Sequence, residues 1–193
     1  MAELSFEDLE FMEKGRFVRI SLYRIFYFDV PREELEEIGP FEIDRKKILF
    51  RDTTEKRAGH KFNDVLSRNI SSLKSKLSGN PAVYVHQNSG IPLIGANFFG
   101  IIDRNTSIIE IKPVTGCNHN CIFCSVDEGK SSRKVTEFVV EKDYMVNELR
   151  KTLDHKQAED MEIHIGCHVE PVLYSELAGL VRDIRNISQV SDV

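Results

Sequence analysis

The chain of 193 residues has no tryptophan and only four cysteines. It contains no apolar run near the roughly 20 residues that a membrane-spanning helix needs. Its acidic first residues, 1–8, lack the basic and apolar regions of a secretory signal. These absences predict a cytoplasmic protein without a membrane segment. So few cysteines also argue against a disulfide framework.

The chain has no large excess of charge of either sign. Its net charge of −5 does not indicate general nucleic-acid binding, because proteins of that class usually carry a basic surface. Hydrophobic residues make up 41% and charged residues 30% of the chain, which is typical of a globular protein with a buried core. Composition therefore predicts one or two ordinary globular domains.

Three of the cysteines lie in one short segment. Cys117, Cys121 and Cys124 have C-x3-C-x2-C spacing and follow an apolar run, 107–114, that predicts a strand. Thiolates this close together are suited to a soft metal ion or an iron–sulfur cluster, and ligands in α/β folds bind beyond the ends of strands. A zinc site completed by His119 or by a distant residue is an alternative, although structural zinc usually takes its ligands from two close pairs.

This spacing, with Phe123 just before the third cysteine, resembles the radical S-adenosylmethionine (radical SAM) superfamily. The resemblance implies that the three cysteines hold three irons of a [4Fe–4S] cluster and that the fourth iron binds SAM. Phe123 would then lie near the adenine. An electron from a donor such as a ferredoxin or flavodoxin would cleave SAM, and the resulting radical would abstract hydrogen from an unknown substrate. No residue that acts on that substrate is identified.

A second segment, which follows the next predicted strand, resembles the glycine-rich motif that meets the SAM amino group in this superfamily. Glu170 and Pro171 match the motif, whereas Cys167 and Val169 hold its two glycine positions. The resemblance implies that Glu170, with the backbone of residues 166–169, receives the SAM amino group. Cys167 has three interpretations: a thiol without a role, a fourth metal ligand that would prevent SAM cleavage, or a thiol that faces the substrate. An alternative function is therefore a cluster-binding or electron-transfer module without SAM turnover.

The second half of the chain alternates between strand and helix patterns. Apolar periodicity predicts helices over 135–156 and 174–187, with a strand over 161–165 between them. This order predicts an α/β fold with parallel strands. The radical SAM resemblance covers about residues 107–188. Together with this order of elements, it implies the start of a parallel βα (partial TIM-like) barrel, truncated after about two units. The chain would then be a fragment, and a separate chain carrying the rest of the barrel is an expected partner.

We place the domain boundary near residue 105. Residues 1–105 are predicted to form a small α+β region of unknown role, and residues 106–193 the N-terminal portion of a radical SAM core. Ser5 is a typical N-cap and predicts a short helix that ends near Gly15. The apolar segments 99–103 and 107–114 predict a hairpin.

Overall fold

The computed structural model of the chain describes residues 1–166 and 169–193, which form two compact units, Met1–Ala82 and Val83–Val193. The domains predicted from the sequence, 1–105 and 106–193, stay a prediction. Within the described ranges, no helix combines the length and apolar character needed to cross a membrane.

The first unit is built mainly from antiparallel sheets. One sheet has the order β1-β6-β5 and the other the order β2-β3-β4-β7. Helix α2 is capped by Thr54, whose side chain accepts a hydrogen bond from the Arg57 N–H, and it buries Phe62 among other aromatic rings. The elements are β1 Ala2–Ser5, β2 Leu9–Lys14, β3 Phe17–Leu22, β4 Phe26–Pro31, α1 Arg32–Glu36, β5 Phe41–Asp44, β6 Lys47–Phe50, α2 Glu55–Asn69 and β7 Lys74–Ser75.

The short helix predicted after Ser5 is wrong. That stretch forms β1 and β2 instead. Strand β1 pairs with β6, with Ala2 opposite Phe50, and β2 pairs with β3 in a regular antiparallel register. Hydrogen bonding to β6 and to the neighbouring β3 therefore overrides the local capping signal.

The second unit has a mixed four-stranded sheet in the order β13-β12-β10-β9. Strand β10 is parallel to β12 and antiparallel to β9, and β12 is parallel to β13. Strand β11 pairs with β8 in a separate two-stranded sheet. The remaining elements are β8 Ala82–Val85, β9 Gly100–Asp103, β10 Ile108–Lys112, β11 Glu137–Val140, α3 Lys142–Lys156, β12 Met161–Ile165, α4 Leu177–Arg185 and β13 Val190–Asp192.

The predicted parallel βα barrel is wrong. The described residues form four sheets in which antiparallel pairing prevails. Strand β9 is antiparallel at the edge beside β10, so a ring of parallel strands cannot continue on that side. The first residues of the helix predicted over 135–156 form β11 instead, which pairs outside the parallel sheet. The predicted hairpin over 99–114 is confirmed by the β9–β10 pairing.

The parallel pair β10 and β12 lies at the centre of the mixed sheet and positions the segments of interest. Ile109 and Ile111 of β10 and Ile163 of β12 are buried. Below the second segment, the hydroxyl of the buried Tyr174 donates a hydrogen bond to the Val140 carbonyl at 2.9 Å. Both central strands therefore contribute buried side chains to the core.

Candidate metal centre

The segment that carries the three cysteines begins directly after β10 and is anchored to β11. The Thr115 N–H donates to the Phe138 carbonyl at 2.9 Å, and the Phe138 N–H donates back to Thr115 Oγ1 at 2.8 Å. The Val140 N–H donates to the Pro113 carbonyl at 2.7 Å. Thr115 is buried, so the segment leaves the sheet from a fixed base.

The segment is closed on itself by the backbone of Gly129 and the side chain of Asn120. Gly129 has a φ of 96°, and a Cβ atom there would lie 2.1 Å from the His119 carbonyl oxygen. Only glycine permits this approach. Asn120 Oδ1 also accepts hydrogen bonds from the Ser131 N–H at 3.1 Å and from Ser131 Oγ at 2.6 Å. We call residues 117–134 the cysteine loop.

A buried carboxylate joins the two ends of the cysteine loop. The Glu128 side chain is buried, and its Oε2 accepts a hydrogen bond from the Gly116 N–H at 3.1 Å. Its Oε1 pairs with Lys134 Nζ. A buried charge needs such partners, because leaving it uncompensated would be strongly destabilising.

The three thiols are not in disulfides and differ in exposure. Cys117 is half-buried, whereas Cys121 and Cys124 are exposed. The backbone N–H groups of Glu128 and Val126 are the main causes that lower the pKa of the Cys124 thiol. This favours the thiolate, which is the form that binds iron or zinc.

The donor chemistry of the loop fits an iron–sulfur cluster, but the structure does not bring the three thiols together. In residues 1–166 and 169–193, no three histidine, cysteine or acidic side chains are grouped so that they could hold a metal ion. Phe123 is 84% exposed and the neighbouring Ile122 is fully exposed, so the tip of the loop projects into solvent. Cluster binding would require the three thiols to come closer together than they are here.

The second predicted segment begins at Gly166, directly after β12. The Gly166 N–H donates to the Ile111 carbonyl at 2.8 Å. Gly166 has a φ of 69°, and a Cβ atom there would lie 2.6 Å from Cγ of Pro171. Glycine at this position leaves room for the ring of Pro171, which begins the short turn Pro171–Leu173. Cys167 lies outside the described residues, so its three interpretations stay open.

The two predicted segments meet through one side-chain contact. His119 Nε2 of the cysteine loop lies 3.3 Å from Glu170 Oε2. The topology explains this proximity, because β10 and β12 are adjacent and parallel, with Ile111 opposite Ile165, and their following loops leave from the same sheet edge. Residues far apart in sequence are thus placed side by side.

An uncharacterized protein of Methanocaldococcus jannaschii, MJ0103, is similar to this chain. The two are 38% identical over 166 residues, which cover 83% of this chain and 36% of that protein. The chain thus spans about a third of the length of this relative. No protein-family model and no solved structure matches the chain. The name of the relative states no activity, so the radical SAM resemblance stays a prediction.

Sequence reasoning missed the residues that shape the cysteine loop. No sequence pattern assigned a role to Glu128, which is buried and pairs with Lys134. Nothing local distinguishes Glu128 from its exposed neighbour Asp127. The one available signal is Gly129, since a glycine within a polar loop often marks a close backbone approach.

Proposed function

We propose that this chain is a radical SAM iron–sulfur protein that binds a [4Fe–4S] cluster and reductively cleaves SAM to start radical chemistry on a substrate. The observation that carries the proposal is the 3.3 Å contact between His119 and Glu170. It places the cysteine loop beside the segment that resembles the SAM-binding motif, as a shared site for cluster and SAM requires.

In this proposal Cys117, Cys121 and Cys124 bind three irons as thiolates. Two features of the chain support that role: the three thiols are free of disulfides, and the pKa of Cys124 is lowered by backbone N–H groups. Three protein ligands leave one iron open for SAM. When bound, the cluster would pass one electron from a reduced ferredoxin or flavodoxin to SAM, whose carbon–sulfur bond breaks to give methionine and a 5′-deoxyadenosyl radical.

Glu170 receives the SAM ammonium in this proposal. Its carboxylate is only partly exposed, so a cationic partner there would be held more strongly than at an open surface. The backbone of Gly166 lies against the ring of Pro171, which directly follows Glu170 in the chain. Since His119 already contacts Glu170, the SAM ammonium would have to displace that imidazole or share the carboxylate with it.

We expect the protein to act in the cytoplasm, because free thiols and a reduced cluster need a reducing compartment. The electron donor stays a prediction, and so does any separate chain that completes the site. Phe123 is exposed and is available to pack against the adenine.

A second function, a cluster-binding or electron-transfer module without SAM turnover, is favoured by a specific observation. The Glu170 carboxylate is already engaged by His119. Together with Cys167 and Val169 in place of glycines, this contact would weaken SAM binding without affecting the three cluster cysteines.

The proposal is tested by anaerobic reconstitution with iron and sulfide, followed by electron paramagnetic resonance of the reduced protein with and without SAM. We expect a [4Fe–4S] signal that changes on addition of SAM, and release of methionine and 5′-deoxyadenosine. A signal that is indifferent to SAM would support the second function. Bound zinc without iron or sulfide would contradict both.

Cysteine variants provide the matched controls. Cys117→Ala should abolish the cluster signal, because only two of the proposed ligands remain. Cys167→Ala should leave the signal intact if Cys167 is not a ligand. If Cys167→Ala removes the cluster as completely as Cys117→Ala does, four cysteines bind it and the open iron required for SAM is absent.

A further inference from the structure

A groove of about 710 Å³ lies in the second unit, and residues of the cysteine loop form one of its walls. It is bounded by β9 with the residues just before it and by the segment that runs from Val126 into β11. This volume is within the range of sites that bind small molecules. The lining includes five apolar side chains, three cations (Arg104, Arg133 and Lys134) and the carboxylate of Glu128, and the apolar members used below are Phe98 and Phe138.

The apolar wall of the groove is an aromatic cluster. Phe99 and Phe138 stack with their ring centroids 4.6 Å apart and only 3° between the planes. Phe98 lies 5.4 Å from Phe138 and is 42% exposed, although it belongs to this packed group. The Phe98 ring packs against neighbouring aromatic rings and is still partly exposed, so it offers a fixed surface against which an apolar ligand can pack.

Of the three cations, Arg133 is the one available to a ligand. Lys134 is paired with the buried Glu128, and Arg104 Nε lies 3.1 Å from Glu110 Oε1. The backbone N–H of Arg133 donates to Asp127 Oδ2. Its guanidinium has no carboxylate within ion-pairing distance in the described part of the chain.

We propose that this groove binds a small amphipathic anion. Its apolar body would pack against Phe98 and Phe138, and its carboxylate or phosphate would bind the guanidinium of Arg133, whose forked N–H donors match either group. The chain carries a net charge of −5, so the local positive charge is a property of this groove and not of the whole molecule. No cysteine is among its described lining residues, and the assignment does not rest on the proposed cluster chemistry.

The experiment uses the full chain without metal and three naphthalene probes: 2-naphthoate, 2-naphthyl phosphate and the neutral 2-naphthalenemethanol. Binding is measured by calorimetry or by NMR titration. We expect at least one acid to bind saturably and at least tenfold more tightly than the alcohol. The acid that binds more tightly identifies the preferred anionic group.

Variants then distinguish a specific contact with Arg133 from a general effect of positive charge on the loop. Arg133→Gln should weaken binding of the acid at least tenfold and leave the alcohol unchanged. Lys130→Gln removes an exposed cation of the same loop that does not line the groove, and it should change neither. Phe98→Ala should weaken binding of the acid and the alcohol alike, with an unchanged circular dichroism spectrum.

The proposal is overturned if neither acid binds saturably, if the alcohol binds as tightly as the acids, or if Arg133→Gln behaves like Lys130→Gln. None of these results depends on cluster formation. If the groove does not bind the probes, the paramagnetic resonance test of the proposed function is unaffected. If no cluster forms, the test of the groove is likewise unaffected.

Discussion

Gly129 is the single residue on which the path of the cysteine loop depends most directly. Its φ of 96° would strain any other residue by about 1–2 kcal/mol. A Cβ atom would also collide with the His119 carbonyl oxygen at 2.1 Å. We therefore expect Gly129→Ala to open the loop and to accelerate tryptic cleavage at Lys130 and Arg133 several-fold, as measured by mass spectrometry of timed digests.

Gly95→Ala is the matched control for this prediction. Gly95 has a φ of 112°, but a Cβ atom there would meet nothing within 4 Å. The control therefore introduces backbone strain without a collision. Equal rates of cleavage at 130 and 133 in the two variants would show that the contact between Gly129 and His119 does not hold the loop.

At the level of single residues, the candidate ligands could be predicted from the sequence. The contacts that hold the surrounding loop in place could not. The cysteine spacing and the Glu170-Pro171 pair are visible in a linear motif. The burial of Glu128 depends on Gly116 and Lys134, which approach it only in three dimensions. The contact between His119 and Glu170 likewise needs the pairing of β10 with β12.

At the scale of elements, one ion pair links β3 and β4 in the first unit. Arg19 and Asp29 stand directly opposite each other, and two N–H groups of the guanidinium donate to the two carboxylate oxygens at 2.7 and 2.8 Å. Arg19 also lies over the ring of Tyr27, 3.9 Å from its centroid. The hydrogen bond from Arg19 is the largest cause that lowers the pKa of Asp29.

We expect Asp29→Asn to lower the free energy of unfolding by about 1 kcal/mol at pH 7, because a bidentate, partly buried charge pair is lost. A carboxyl whose pKa is lower in the folded state stabilises the fold above its unfolded value of about 3.9. This contribution disappears as the pH falls through the folded value. Urea unfolding followed by circular dichroism should therefore show a difference from wild type that shrinks below about pH 4.

Glu42→Gln serves as the control for the Asp29 prediction. Glu42 pairs with Arg51, but both side chains are more than half exposed. Such surface pairs contribute little, so this substitution should change the free energy of unfolding by less than about 0.5 kcal/mol. An Asp29→Asn variant that matches this control at every pH would contradict the assigned role of the pair.

One strand pairing that could be predicted from the sequence joins neighbouring segments. The β9–β10 hairpin joins neighbouring segments, and its two apolar runs could be identified directly. The first residues of the helix predicted over 135–156 have apolar side chains at helical spacing, yet they form strand β11. They pair with β8, and because that strand lies some 50 residues earlier, the local pattern does not reveal the pairing. The barrel prediction failed for the same reason, since alternation along the chain does not determine which strands pair.

For the whole molecule, the division into units determines which part can be expected to fold alone. The second unit, Val83–Val193, contains the cysteine loop, Glu170 and the groove beside Arg133. It also contains β9, the partner of β10, and nearly all of β8, the partner of β11. A boundary at residue 105 would separate both of these strands from their partners.

We therefore expect a fragment of residues 83–193 to fold and a fragment of residues 106–193 to aggregate. Without β9, the edge of β10 would expose unpaired N–H and carbonyl groups, which is an established route to aggregation. The shorter fragment would also lose the hydrogen bond from the Tyr144 hydroxyl to the Ile91 carbonyl, 3.1 Å in the intact chain. Size-exclusion chromatography and the dispersion of amide proton signals measure both properties. If residues 106–193 give a monomer with dispersed signals equal to those of 83–193, the pairings of β8 and β9 are dispensable and the boundary belongs at residue 105.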